Sequence, residues 1–218
     1  MPPTPPGFSK NVFINCPFDQ EYESLLRPIL FTIVYLGFNP QIASQRANSG
    51  EQRINKIVSL ISKSKYSIHD LSRARSEHPR EYYRLNMPFE LGIDYGSRRT
   101  AGAAFSRKRF LVLGSKPHDY KRALSDLAGV DAESHGNKPE RAISAVRNWF
   151  VSTVRLRSAA SPTVIWYKFN DFTADFYAKR KDEGFSKEDL KMSLFENTLR
   201  LFENGLKATN EVARVLNT

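Results

Sequence analysis

A chain of 218 residues and 24.9 kDa, with 40% hydrophobic and 12% aromatic residues, is long enough to close one substantial core. A mean hydropathy of −0.48 and the lack of any long apolar run exclude a transmembrane span, and a single cysteine excludes an intrachain disulfide or a cysteine-based metal cage. The net charge of +10, with pI near 9.7, gives a surface that attracts anions: nucleic acid, phosphorylated small molecules or acidic headgroups.

Basic residues cluster in Arg73–Arg84, Arg98–Arg109 and Lys179–Lys181. A solvated surface accounts for each cluster taken singly, and no nucleic-acid-binding motif accompanies them, so nucleic acid has only charge to support it as a partner. The opening MPPTPPGFSK is rich in proline and lacks an apolar h-region. Residues 1–9 therefore read as a disordered lead-in and not as a signal peptide, and a cytoplasmic protein without membrane contact is expected.

Asn11–Pro17 (NVFINCP) is a β-branched and aromatic run closed by proline, which predicts a buried strand. Asp19 is placed to cap a helix from Gln20 to Leu36, with Leu25, Leu26, Ile29, Leu30, Ile33 and Val34 on its apolar face, Pro28 as a kink and Gly37 as its stop. Phe38–Ser44 predicts a weaker second strand. A helix starting at Ser49 or Gly50 runs to Lys63, and Lys65–Asp70 is the third strand.

Met87–Ala104 predicts the next helix, with Glu90 in its first turn. Arg109–Gly114 (RFLVLG) is a continuous apolar run of the parallel-sheet kind. A short helix over His118–Leu127, a strand over Val130–Ala132 and an amphipathic helix over Lys138–Val154 complete the pattern. Strands alternating with helices imply an α/β fold, a flavodoxin-like doubly wound parallel sheet of about five strands. In that order strands one and three are neighbours, and Asn15, Cys16, His69 and Asp70 share a crevice with Glu90 above it.

After Arg157–Pro162 (RSAASP) the pattern changes to two long helices, Thr163–Glu183 and Ser186–Asn204, joined at Gly184. The first is expected to bury Ile165, Trp166, Phe169, Phe172 and Phe176. Such a hairpin cannot bury two apolar faces alone, so it packs on the α/β domain or on a second copy, making a homo-oligomer the expected assembly. The organisation is thus a lead-in (1–9), an α/β domain (10–157), a helical hairpin (162–206) and a tail (207–218).

KNVFINCPFD resembles the opening strand and loop of TIR and TIR-like domains, and SIHDLSR followed by NMPFELGIDYG resembles the third strand and following helix of the nucleoside 2-deoxyribosyltransferase and TIR superfamily. The resemblance covers roughly residues 10 to 150. It departs from the pattern at Asn15, where many TIR domains carry serine, and in the long charged loop Arg73–Leu85. It implies that Glu90 attacks or stabilises C1 of a ribose, and that NAD or a related nucleotide is substrate or ligand, with no permanently bound cofactor. It further implies a defence or signalling role in prokaryotes.

Breaking an N-glycosidic bond develops positive charge on the ribose, which a carboxylate beneath C1 stabilises or captures. Glu90 fits that role. Asp70 or Asn15 would hold the ribose hydroxyls, and Phe18 and Met87 the base. Cys16, Pro17, Ser72 and Asn86 complete the expected contacts, although capping is the commoner role for a serine placed as Ser72 is. Arg46 and Arg53 flank the second strand–helix loop and are candidates for holding phosphate. The bland reading of Glu90 is a first-turn glutamate complementing the helix dipole. Cys16 and His69 could form a nucleophilic pair, but a lone strand-end cysteine is more often a small buried hydrophobe. No metal site is expected from His69 and Asp70. Two other classes of function fit the same crevice: a non-catalytic nucleotide sensor, and a module that self-associates through the hairpin.

Overall fold

The computed structural model describes residues 4–43, 52–73, 85–122, 124–127 and 129–186. Arg46, most of the charged loop after Arg73 and the second helix of the expected hairpin lie outside them. The elements are β1 (Asn11–Asn15), α1 (Glu23–Tyr35), β2 (Asn39–Ile42), α2 (Arg53–Ser62), β3 (Tyr66–Asp70), α3 (Asn86–Thr100), β4 (Arg109–Gly114), β5 (Asp131–Ser134), α4 (Pro139–Thr153) and α5 (Pro162–Asp182). The five strands form one parallel sheet in the order β2-β1-β3-β4-β5, the flavodoxin-like α/β arrangement. β1 and β3 are neighbours, with Asn15 directly opposite His69.

Several boundaries differ from the sequence expectation, for local reasons. The expected helix over His118–Leu127 is two 3-10 turns, Asp119–Arg122 and Ser125–Leu127, entered through His118 at a φ of 60°. α3 starts at Asn86 and stops at Thr100, because Gly102, at a φ of 99°, turns the chain into a 3-10 turn at Phe105–Arg107. The last strand is shifted to Asp131–Ser134. The lead-in, expected to be disordered, forms a turn from Pro5. There the Lys10 and Asn11 amides donate to the Gly7 carbonyl, and Phe8 is buried with its ring 5.6 Å from that of Phe105.

The chain divides into two compact units. The first holds residues 1–18 and 40–137, the second 19–39 and 138–218. In the first, strand alternation sends Phe13, Asn15, Ser67, His69, Phe110 and Val112 to one face of the sheet. Phe13 packs with Ile57 and Ile61 of α2, while Phe110 and Val112 pack with Met87 and Leu91 of α3. Val12, Ile14, Tyr66, Ile68 and Asp70 take the opposite face.

In the second unit α1, α4 and α5 pack on one another. The Tyr22 amide donates to Asp19 Oδ1 at 2.8 Å, so Asp19 caps the turn that leads into α1. The helix continues through Pro28. It ends in a Schellman motif, with Gly37 N–H on the Val34 carbonyl and Phe38 N–H on the Ile33 carbonyl. Ser161 caps α5 by accepting from the Val164 amide, with Pro162 in the first turn. The Ser/Ala break before it is pinned by Arg147, whose Nε and Nη2 donate to the carbonyls of Ala160 and Ala159. Of the five α5 residues expected to be buried, Ile165 is fully so. Phe169 and Phe172 each lie 5.6 Å from the ring of Phe31.

Gly37 adopts a φ of +80° with open space around it, so a Cβ there meets no neighbour and suffers only the left-handed backbone. Gly37→Ala is therefore expected to cost about 1–2 kcal/mol in a urea melt, through conformation alone.

Candidate functional site

The carboxyl ends of β1 and β3, the start of α3 and the start of α2 bring the candidate residues together. Glu90 is the fifth residue of α3, so it lies beyond the first turn and is not the dipole-complementing glutamate of the bland reading. It is 5% exposed, and its Oε1 is 3.8 Å from the Nη2 of Arg53, the first residue of α2. Burial pushes its carboxyl up to about 7, against the lowering pull of the Arg53 guanidinium.

One turn along α3, Asp94 is wholly buried and anchors a network that the sequence reading did not single out. Its carboxylate accepts from Ser67 Oγ, from His69 Nε2 at 3.1 Å and from Lys108 Nζ at 3.0 Å. Burial alone would raise it, but the His69 hydrogen bond, the Lys108 charge and Ser67 together hold it below the usual aspartate range. Burial also lowers Lys108, opposed by the charge of Asp94. The three ammonium protons of Lys108 match three acceptors: Asp94 and the carbonyls of Ile61 and Ser64 at the end of α2.

The protons on the other side of His69 follow from its partners. The Met87 carbonyl can only accept, so Asn15 presents its amide nitrogen there, at 2.8 Å. The same nitrogen lies 3.0 Å from His69 Nδ1, which must accept, leaving Nε2 to carry the proton towards Asp94. Asn15 thus uses both amide hydrogens to fix the first turn of α3 to β1 and β3.

Asp70, expected in the same crevice, is on the opposite face of the sheet, because it is one residue out of step with His69. Its Oδ1 accepts from the Ser72 amide at 2.8 Å, and its Oδ2 is 3.1 Å from Nε2 of His135, at ion-pair distance without hydrogen-bond alignment. The Asn137 amide donates to the other nitrogen of His135, Nδ1, which leaves the ring proton on Nε2. Ser72 supplies a backbone donor to this turn. Cys16 and Pro17 are buried, Phe18 is half-buried, and Asn86 is exposed beside the buried Met87. The Cys16 thiol is in no disulfide.

The structure therefore gathers Asn15, Met87, Glu90 and Arg53 and sets Asp70 and Ser72 apart. Ser67 and His69 are polar residues alternating within the apolar strand YSIHD, and that alternation signals a polar partner across the sheet face. Nothing in the sequence marks Lys108 or His135 as buried. Among the described residues no group of three His, Cys, Asp or Glu is gathered as a metal site, and no helix is long and apolar enough to cross a membrane. No protein-family model and no curated protein matches the chain.

Lys108→Met leaves Asp94 buried without its cation and removes a donor from the carbonyls of Ile61 and Ser64. It is expected to destabilise the fold by about 3–5 kcal/mol in denaturant titration. Glu90 acts in the opposite sense. Because its folded value is raised to about 7 from 4.5, the native state holds the proton more tightly than the unfolded chain. Stability is then fullest below about pH 4.5 and falls as pH rises through 7, by about 3 kcal/mol for this group. Melts across that range should show the fall in wild type, and Glu90→Gln should abolish this component.

Proposed function

We propose that the chain binds a nucleotide such as NAD at the carboxyl ends of β1 and β3 and hydrolyses its N-glycosidic bond, with Glu90 facing C1 of the ribose. The observation that carries this reading is a carboxyl buried at the mouth of a parallel sheet, raised to about 7 and set 3.8 Å from an arginine. Strand ends of open α/β sheets are where such folds place ligands, and strongly perturbed carboxyls mark reactive positions. The resemblance of NMPFELGIDYG to the deoxyribosyltransferase and TIR superfamily points to the same residue, and a defence or signalling role rests on that resemblance alone.

The chemistry asks little else of the protein. The nicotinamide of NAD is already cationic and departs neutral with the bonding electrons, so no acid is needed for the leaving group. The ionised Glu90 meets the positive charge that develops at C1 and stabilises or traps it, and water then completes hydrolysis. Arg53, 45% exposed on its side chain, is placed to contact a phosphate while favouring the ionised glutamate. Asn15 acts through Met87, positioning the first turn of α3.

Nicotinamide release by the purified full chain tests this. Turnover is expected to drop by about a hundredfold or more in Glu90→Gln. Because the ionised form is the active one, kcat/KM should rise with pH up to about 7 and level off above it. Equal rates, or equal inertness, of wild type and Glu90→Gln would remove catalysis. Nucleotide-dependent thermal stabilisation without turnover would then leave a sensor.

A further inference from the structure

The other end of the first unit carries charge of the opposite kind. The segments 7–11, 62–66 and 97–110 contain no Asp or Glu and carry Lys63, Lys65, Arg98, Arg99, Arg107 and Arg109, with Lys10 at the head of β1. The fold draws these segments together at the amino ends of the strands. Asn11 Nδ2 donates to the Lys63 carbonyl at 2.9 Å, Lys65 N–H to the Phe8 carbonyl at 3.0 Å, and Arg109 N–H to the Lys65 carbonyl at 3.0 Å. The ring of Phe8 meets Phe105 beside Arg107. Lys63, Arg99, Arg107 and Arg109 are exposed, and Lys65 and Arg98 half-exposed.

One structural use of this charge is already met by other means. The carbonyls closing α2 are satisfied from inside by the buried Lys108, so the cations around them are surplus to that end. Three of the six lie on aromatic rings: Arg98 over Phe110 at 5.4 Å, Arg99 over Tyr95 at 5.5 Å and Lys65 over Tyr66 at 5.3 Å. Ring faces orient these side chains without neutralising them.

We propose that this amino-terminal edge of the sheet binds the phosphodiester backbone of a nucleic acid, on the side of the unit away from Glu90. Fork-shaped guanidiniums dominate the face, and they suit phosphate oxygens better than point-charge ammonium groups do. A lipid surface fits less well, because none of the large hydrophobic residues exposed among the described residues falls in these segments to anchor in a bilayer. Recognition is of backbone and not of sequence, since no helix or ribbon here is presented to a groove.

Anisotropy of a labelled duplex titrated with the full chain at several salt concentrations tests the proposal. Contact with about three to five phosphates predicts a log–log salt slope of about −3 to −4.5. Arg107→Glu/Arg109→Glu should weaken binding by at least about tenfold and flatten the slope by about two, while Lys179→Glu/Lys181→Glu, with the same change in net charge, stays within about twofold. Lys63→Glu/Arg99→Glu repeats the test should the first pair fail to keep the wild-type melting profile. Equal losses from the edge and the Lys179/Lys181 pairs would overturn the site, as would no binding at low salt. Retention on phosphatidylserine vesicles without duplex binding would overturn the ligand.

Discussion

A single carboxylate without access to water governs the first unit. An ionised aspartate in such a place is tolerable only if its charge is paired and its lone pairs are occupied. Asp94 meets that demand with a hydroxyl, an imidazole and an ammonium drawn from β3 and from the residue before β4. The demand fixes geometry well beyond the carboxylate. It sets the rotation of α3 on the sheet, sets the tautomer of His69, and through Asn15 holds the first turn of the same helix. Lys108 carries the constraint further, to the carbonyls that end α2.

Because α3 is locked there, the position of Glu90 one turn earlier is not free. The two carboxyls are four residues apart on one helix face and are driven in opposite directions. Asp94, with an ammonium at 3.0 Å, is held below its ordinary range, whereas Glu90, with a half-exposed guanidinium at 3.8 Å, is raised to about 7. One helix thus carries one carboxyl whose ionised form is favoured and organises structure, and a second that can change state near neutrality. Carboxyls separated in this way by their surroundings commonly divide structural and chemical work.

The sheet order was legible because the strands NVFIN, YSIHD and RFLVLG are apolar runs between helix-period segments, and the adjacency of β1 and β3 follows from the order those segments imply. Glu90 and Arg53 could be placed at the same edge because the helices that carry them both leave that edge. What could not be read was side-chain direction at the strand end. His69 and Asp70 are adjacent in sequence and look like one polar cluster, yet the two-residue period of a strand sends them to opposite faces. Nor could composition distinguish the Lys108 of RKRF from its flanking arginines, although it alone of the three is buried. That difference depends on which carbonyls the fold leaves open at the end of α2, a tertiary fact. Phe8 was lost in a proline-rich context that suggested disorder, whereas its buried ring and the backbone bonds to the Gly7 and Phe8 carbonyls hold the turn.

The Asp94 network has a consequence for how the sequence can change. Each hydrogen of Lys108 and of the Asn15 amide is already committed, so no member has spare capacity to absorb the loss of another. Substitutions at Ser67, His69, Asp94 and Lys108 will not add as independent steps, because each alters what the remaining partners must satisfy. A swap to an apolar core there is reachable only by several simultaneous replacements, and any single one passes through a state with a stranded charge or donor. These positions should drift as a block, and far more slowly than the surface around them.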